Sequence, residues 1–91
     1  GYHDLRVRPW NKANVRGRDK GAYYDRMWRA ATALDPPVIS ITSFNEWHEG
    51  TQIEPAMPKK TEAHSYLDYA PHAPDWYLTR TREWVRRWRG E

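Results

Sequence analysis

Glu46 and Glu49 stand three residues apart in "SITSFNEWHEGTQIEPAMP" (Ser40 to Pro58), with Trp47 and His48 between them and a run of β-forming residues ahead. On a helical turn, Cβ atoms at this spacing lie about 5–6 Å apart and can address one ligand, whereas on an extended chain they point to opposite faces. Gly50 permits a sharp turn after the second glutamate. Paired carboxylates suit glycoside hydrolysis, in which one protonates the leaving oxygen and the other serves as nucleophile or base. Trp47 and His48 would desolvate one carboxyl and hydrogen-bond it, keeping it protonated near neutral pH. From the residues alone two further readings stay open: a polar turn at the end of a buried strand, and a metal site. The metal reading is the weakest, because "HEGTQ" puts Gln52 where a zincin helix needs its second histidine. His3, His64 and His72 are scattered among loops, and there is neither a G-x-S-x-G elbow nor a P-loop.

The elements that must position this pair can be read on either side of it. Gly1 to Lys20 has no sustained period and reads as a long loop. Asp19 can cap the helix that follows, in which Tyr24, Met27, Trp28, Ala31 and Leu34 form one stripe, and "DPP" at Asp35 to Pro37 ends it. Val38 to Phe44, "VISITSF", predicts a central and parallel strand covered on both faces. After it, Asn45 to Ala73 is irregular and punctuated by Gly50, Pro55, Pro58 and Pro71. Asp75 begins a last helix on which Tyr77, Thr81, Trp84 and Trp88 share a face, with Leu78 and Val85 beside them. The order loop, helix, strand, long loop, helix predicts an α/β protein with a parallel sheet, of which the 91 residues hold one and a half units. A lone parallel strand needs neighbours, so the chain reads as the C-terminal part of something larger.

Composition agrees with a shared core. Mean hydropathy is -1.08, yet six Trp and six Tyr are too many for a disordered segment. The absence of cysteine excludes disulfides and thiolate chemistry and leaves the redox compartment open. No apolar run approaches the roughly 20 residues that span a bilayer. The net charge of +3 raises a nucleic-acid reading. However, acids interleave with the arginines in "RTREWVRRWRGE", which predicts a solvated helix face and no nucleic-acid partner.

The block "ITSFNEWHEGTQIEPAMPKKT", followed by "YLDYAPHAPDWYLTRTREWVRRW", resembles the C-terminal end of glycoside hydrolase family 99, the endo-α-1,2-mannosidases and endomannanases. "GYHDLRVRPWN" and "GAYYDRMW" extend the likeness over residues 1–91. The resemblance implies a (β/α)8 TIM barrel. This chain would supply the loop after strand seven, helix seven, strand eight (Val38 to Phe44) and the closing helix, and the rest of the barrel would lie upstream.

It further implies a retaining endo-α-mannosidase that cleaves internal bonds of N-glycans or mannan through a 1,2-anhydro sugar, with no cofactor or metal. Glu46 would take the proton from the mannose 2-hydroxyl. Glu49 would protonate the departing oxygen and then activate water. Asn45, Arg8, Trp10 and Trp47 would border the oligosaccharide, Glu54 would hydrogen-bond within the loop, and His3 replaces an acid that the family commonly carries. The parent would work in the Golgi lumen, membrane-anchored, if eukaryotic, and outside the cell or in the periplasm if bacterial. A non-catalytic or differently acting domain of the wider group, associated with polysaccharide biosynthesis, is the alternative, and the intact "TQIEPA" and "KKT" favour the hydrolase. The 91 residues by themselves are expected to be inactive and to unfold without a sharp transition.

Overall fold

The structure, a computed structural model, describes residues 16–47, 49–63 and 65–91. Two helices frame it. A 3-10 turn at Asp19–Gly21 leads into α1, Ala22–Ala33, and a long irregular segment connects this helix to α2, Trp76–Trp88.

α1 ends where the prolines require, with Leu34 as its C-cap ahead of Asp35. Its start differs from the expected one. Asp19 makes no capping bond, and the N-cap is Gly21 at φ 95°. The stripe differs as well: Trp28 is buried and Tyr24 half-buried, but Met27 and Leu34 are exposed. The face that packs is the one turned to α2, centred on Tyr24, Asp25 and Trp28.

α2 matches its expected face, with Tyr77 and Trp84 buried and Thr81, Val85 and Trp88 half-buried. Asp75 is its N-cap through the backbone, its carbonyl accepting the N–H groups of Leu78 and Thr79. The helices meet through long aromatic side chains. Trp28 stacks on Trp84 at 6.1 Å between ring centroids, and Tyr24 meets Tyr77 edge-on at 5.2 Å. Such ring pairs contribute about 0.5–1.5 kcal/mol each beyond their burial.

Asp25 sits between the helices and accepts hydrogen bonds from Arg80 Nε (2.7 Å), Arg80 Nη2 (2.9 Å) and Trp84 Nε1 (2.7 Å). Burial pushes its carboxyl up, but the bonds from Arg80 and Trp84 and the nearby arginine charges outweigh this and hold it below its ordinary value. The Arg80 pKa moves in the complementary direction, upward, chiefly through its bond to Asp25. A carboxyl held low in the folded state contributes stability in full above about pH 4, and the contribution is lost as pH falls through the lowered value. Asp25→Asn should therefore cost about 1–3 kcal/mol at pH 7 and lose this part of the acid-dependent destabilisation. Denaturant titrations of a full-length protein carrying the segment, at pH 7 and pH 3, would check both effects.

The expected strand Val38–Phe44 is not formed. Among the described residues there is no strand, only an isolated antiparallel bridge between Lys60 and Ser65. Val38 is 75% and Phe44 51% exposed, against the two covered faces that the composition predicted. The physical reason is the ladder: a parallel strand takes its hydrogen bonds from neighbouring strands, and the described residues offer none. Instead the buried cluster lies beneath the long connection, where Ile53, Ala56, Tyr69 and Tyr77 pack with Tyr24, Trp76 and Leu78 against them. The Ala56 N–H donates to Pro74 O at 3.0 Å and ties the connection to the start of α2.

Candidate functional site

The segment from Ser43 to Glu54 closes on itself through its own backbone. Ser43 N–H donates to Thr51 O (3.1 Å), and the two hydroxyls lie 2.7 Å apart. Phe44 O accepts from both Ile53 and Glu54. Within this closure Glu49 N–H donates to Glu46 O (3.2 Å), Gly50 N–H to Trp47 O (3.2 Å) and Thr51 N–H to Glu46 O (3.3 Å). Glu46 and Glu49 are thus joined by a turn, the arrangement that brings residues three apart to one side. Gly50 closes it at φ 68° and is buried.

Both glutamates and Asn45 are exposed, and neither glutamate side chain has a hydrogen-bond partner among the described residues. The Ser43 hydroxyl accepts the Glu46 N–H at 3.2 Å, fixing the backbone from which that side chain projects. Trp47 is 46% exposed and donates its indole N–H to Glu54 Oε2 at 2.6 Å. Glu54 therefore has the hydrogen-bonding place in the loop that its position suggested. The desolvation expected from Trp47 is not supplied here, since the glutamates stand open. Arg8, Trp10, His3 and His48 lie outside the described residues.

Two residues that the sequence did not single out, Arg18 and Tyr69, support the turn from below. Arg18 Nη2 donates to Gly50 O (2.9 Å) and Gln52 O (2.7 Å). The Tyr69 hydroxyl donates to Glu54 O (2.7 Å), with a longer contact to Gln52 O (3.3 Å). Burial pushes the phenols of Tyr69 and Tyr77 up, with Arg18 opposing in each case, so both stay protonated through neutral pH, Tyr69 as a donor. Gln52 itself is buried. A cleft of about 100 Å³ opens behind the turn, lined by Arg18, Tyr24, Ile41, Thr51, Ile53 and Tyr77 among others; neither glutamate lines it.

Among the described residues no group of three His, Cys, Asp or Glu side chains could hold a metal ion. No helix there is long and apolar enough to cross a membrane. What the arrangement offers chemically is two exposed carboxylates joined by one backbone-bonded turn.

The family model "Glycosyl hydrolase family 99" matches residues 1–90. A glycoprotein endo-α-1,2-mannosidase-like protein of Danio rerio is 56% identical over 91 residues, all of this chain and 21% of the relative. The glycoprotein endo-α-1,2-mannosidase of Rattus norvegicus is 54% identical over 91 residues and is covered to 20%. The chain thus spans about a fifth of the length of these curated relatives. The solved structure of the GH99 endo-α-mannosidase from Bacteroides thetaiotaomicron superposes with a TM-score of 0.91 at 58% identity, covering 99% of this chain and 26% of that one.

Proposed function

The chain belongs to glycosyl hydrolase family 99, and we propose that the protein carrying it is a retaining endo-α-mannosidase whose acid and base are Glu49 and Glu46. The observation that supports this reading is the backbone hydrogen-bonded turn that joins Glu46 and Glu49, in a chain 58% identical to an endo-α-mannosidase of known structure. α1 and α2 are the last two helices of a (β/α)8 barrel, and the exposed side chains of Val38, Ile41 and Phe44 are covered by the rest of it. Catalytic groups of such barrels gather at the carboxyl ends of the strands, where the Glu46–Glu49 turn follows Phe44.

The reaction runs without a glycosyl-enzyme ester. Glu46 takes the proton of the mannose 2-hydroxyl while O2 attacks the anomeric carbon from the face opposite the leaving group. The bond from that carbon to the departing oxygen breaks, and Glu49 gives the oxygen its proton. A 1,2-anhydro sugar results. Glu49, now a carboxylate, takes a proton from water, whose oxygen attacks the anomeric carbon and opens the three-membered ring, and Glu46 returns its proton to O2. In an α-mannoside O2 and the leaving oxygen are axial on opposite faces, which places O2 for back-side attack. Two inversions give net retention.

Asn45, beside Glu46, contacts the sugar or orients that glutamate, and Arg8, Trp10 and Trp47 border the groove. The substrate is an internal α-mannosidic bond of an N-glycan or mannan. The compartment is the Golgi lumen for a eukaryotic parent and the periplasm or exterior for a bacterial one. Proton NMR of the first product released by a full-length enzyme carrying this segment tests the reading. The α-anomer should form first, and initial β-anomer would overturn it.

A further inference from the structure

We infer that Arg18 is a positioning residue for the acid carboxyl of Glu49, acting through the carbonyls of Gly50 and Gln52 without touching substrate. The inference rests on the acid–base reading of the Glu46–Glu49 turn. Arg18 is itself fixed at the head of the 3-10 turn that leads into α1, where its carbonyl accepts the N–H groups of Gly21 (3.0 Å) and Tyr23 (3.4 Å). From there its side chain reaches across 32 and 34 residues of sequence to the Gly50 and Gln52 carbonyls, one and three residues after Glu49, at 2.9 and 2.7 Å from a single Nη2. Its guanidinium lies 4.7 Å from the Tyr77 ring centroid, in α2, and 5.2 Å from that of Tyr69.

One planar cation therefore joins α1, α2 and the loop to the peptide next to the acid. The opposite side of the segment is held by Ser43 and Thr51. With both sides held, Gly50 keeps the positive φ that ends the turn, and the Glu49 backbone has one position. A general acid must lie within hydrogen-bond reach of the leaving oxygen, and a misplacement of about 1 Å can cost about 100-fold. Lysine does not reproduce the arrangement: its ammonium is a strongly hydrated point charge on a flexible stem, without the planar, pre-organised group whose Nη2 reaches both carbonyls.

The test is made in a full-length enzyme carrying this segment, with two substrates of the same glycone. One has a sugar leaving group, which needs protonation, and the other is the α-mannosyl fluoride, whose fluoride departs without it. Arg18→Lys should lower kcat/KM for the sugar leaving group by about 10- to 100-fold and for the fluoride by no more than a few fold. General damage to the fold would lower both alike, and that result would overturn the inference. Glu49→Gln, measured in parallel, separates the two layers. If it keeps turnover on the sugar leaving group, the acid assignment itself falls. If it shows the selective loss and Arg18→Lys does not, only the role of Arg18 falls. Should Arg18→Lys fail to fold, Tyr69→Phe removes the hydroxyl that donates to Glu54 O and also contacts the same Gln52 carbonyl. It should show a smaller selective loss, and equal losses on both substrates would again contradict the role.

Discussion

Glu46→Gln and Glu49→Gln, each made in a full-length enzyme carrying this segment, should lower kcat by about 100- to 10,000-fold while leaving oligosaccharide affinity nearly unchanged. The amide keeps the volume of the side chain but neither takes nor gives the proton. The turn should survive both substitutions, because its hydrogen bonds run through the backbone of Ser43, Phe44, Glu46 and Thr51 and use neither carboxylate. Steady-state kinetics with calorimetric binding to the inactive variants checks this. Retained turnover in either variant would remove that glutamate from the mechanism, and lost binding would point to damage in the turn.

Gly21→Ala should be the most damaging single methyl in the described residues. Gly21 is buried at φ 95°, a region that costs an L-residue about 1–2 kcal/mol. A Cβ there would also run into the six-membered ring of the Trp76 indole. That ring cannot swing away freely, since it stacks on His72 at 4.1 Å and meets Tyr77 edge-on at 4.9 Å. His72 in turn is hydrogen-bonded through Nε2 to the Lys20 carbonyl at 2.6 Å. Adding an overpacking cost of about 1–3 kcal/mol gives a loss of about 2–5 kcal/mol. Denaturant unfolding of the full-length protein measures it, and a loss under about 1 kcal/mol would show that α1 and α2 are not locked through this contact. Because the 3-10 turn carries Arg18 at its edge, the same substitution should also disturb the Glu46–Glu49 turn.

Much of this architecture was legible in short-range pattern. The Pro pair after Asp35 marks the end of α1, and the spacing of Tyr77, Thr81 and Trp84 gives the packed face of α2. Spacing misjudged α1 because two faces compete there: Met27 and Leu34 continue the apolar stripe, but the described partner of the helix is α2, which faces Tyr24 and Trp28. The β-rich composition of Val38 to Phe44 is plain, yet a strand is a relation between segments and composition cannot supply the neighbour. Charge pattern had a similar limit. Most arginines of α2 are solvated as read, but Arg80 reaches back 55 residues to Asp25, and Arg18 is held in the loop. The Glu46–Glu49 spacing announced a candidate pair, whereas the contacts that fix it join Arg18 with Gly50 and Tyr69 with Glu54, at separations that carry no periodic signal.

The central claim is that Glu46 acts on the 2-hydroxyl of the scissile mannose and that no carboxylate attacks the anomeric carbon. The most direct measurement is turnover of a substrate in which that mannose carries hydrogen in place of O2, by a full-length enzyme carrying this segment. The account predicts that it binds and is not cleaved, because the nucleophile is missing while Glu49 remains able to protonate the leaving oxygen. Hydrolysis at a rate near that of the parent substrate would contradict it and would require a carboxylate or water to attack the anomeric carbon directly.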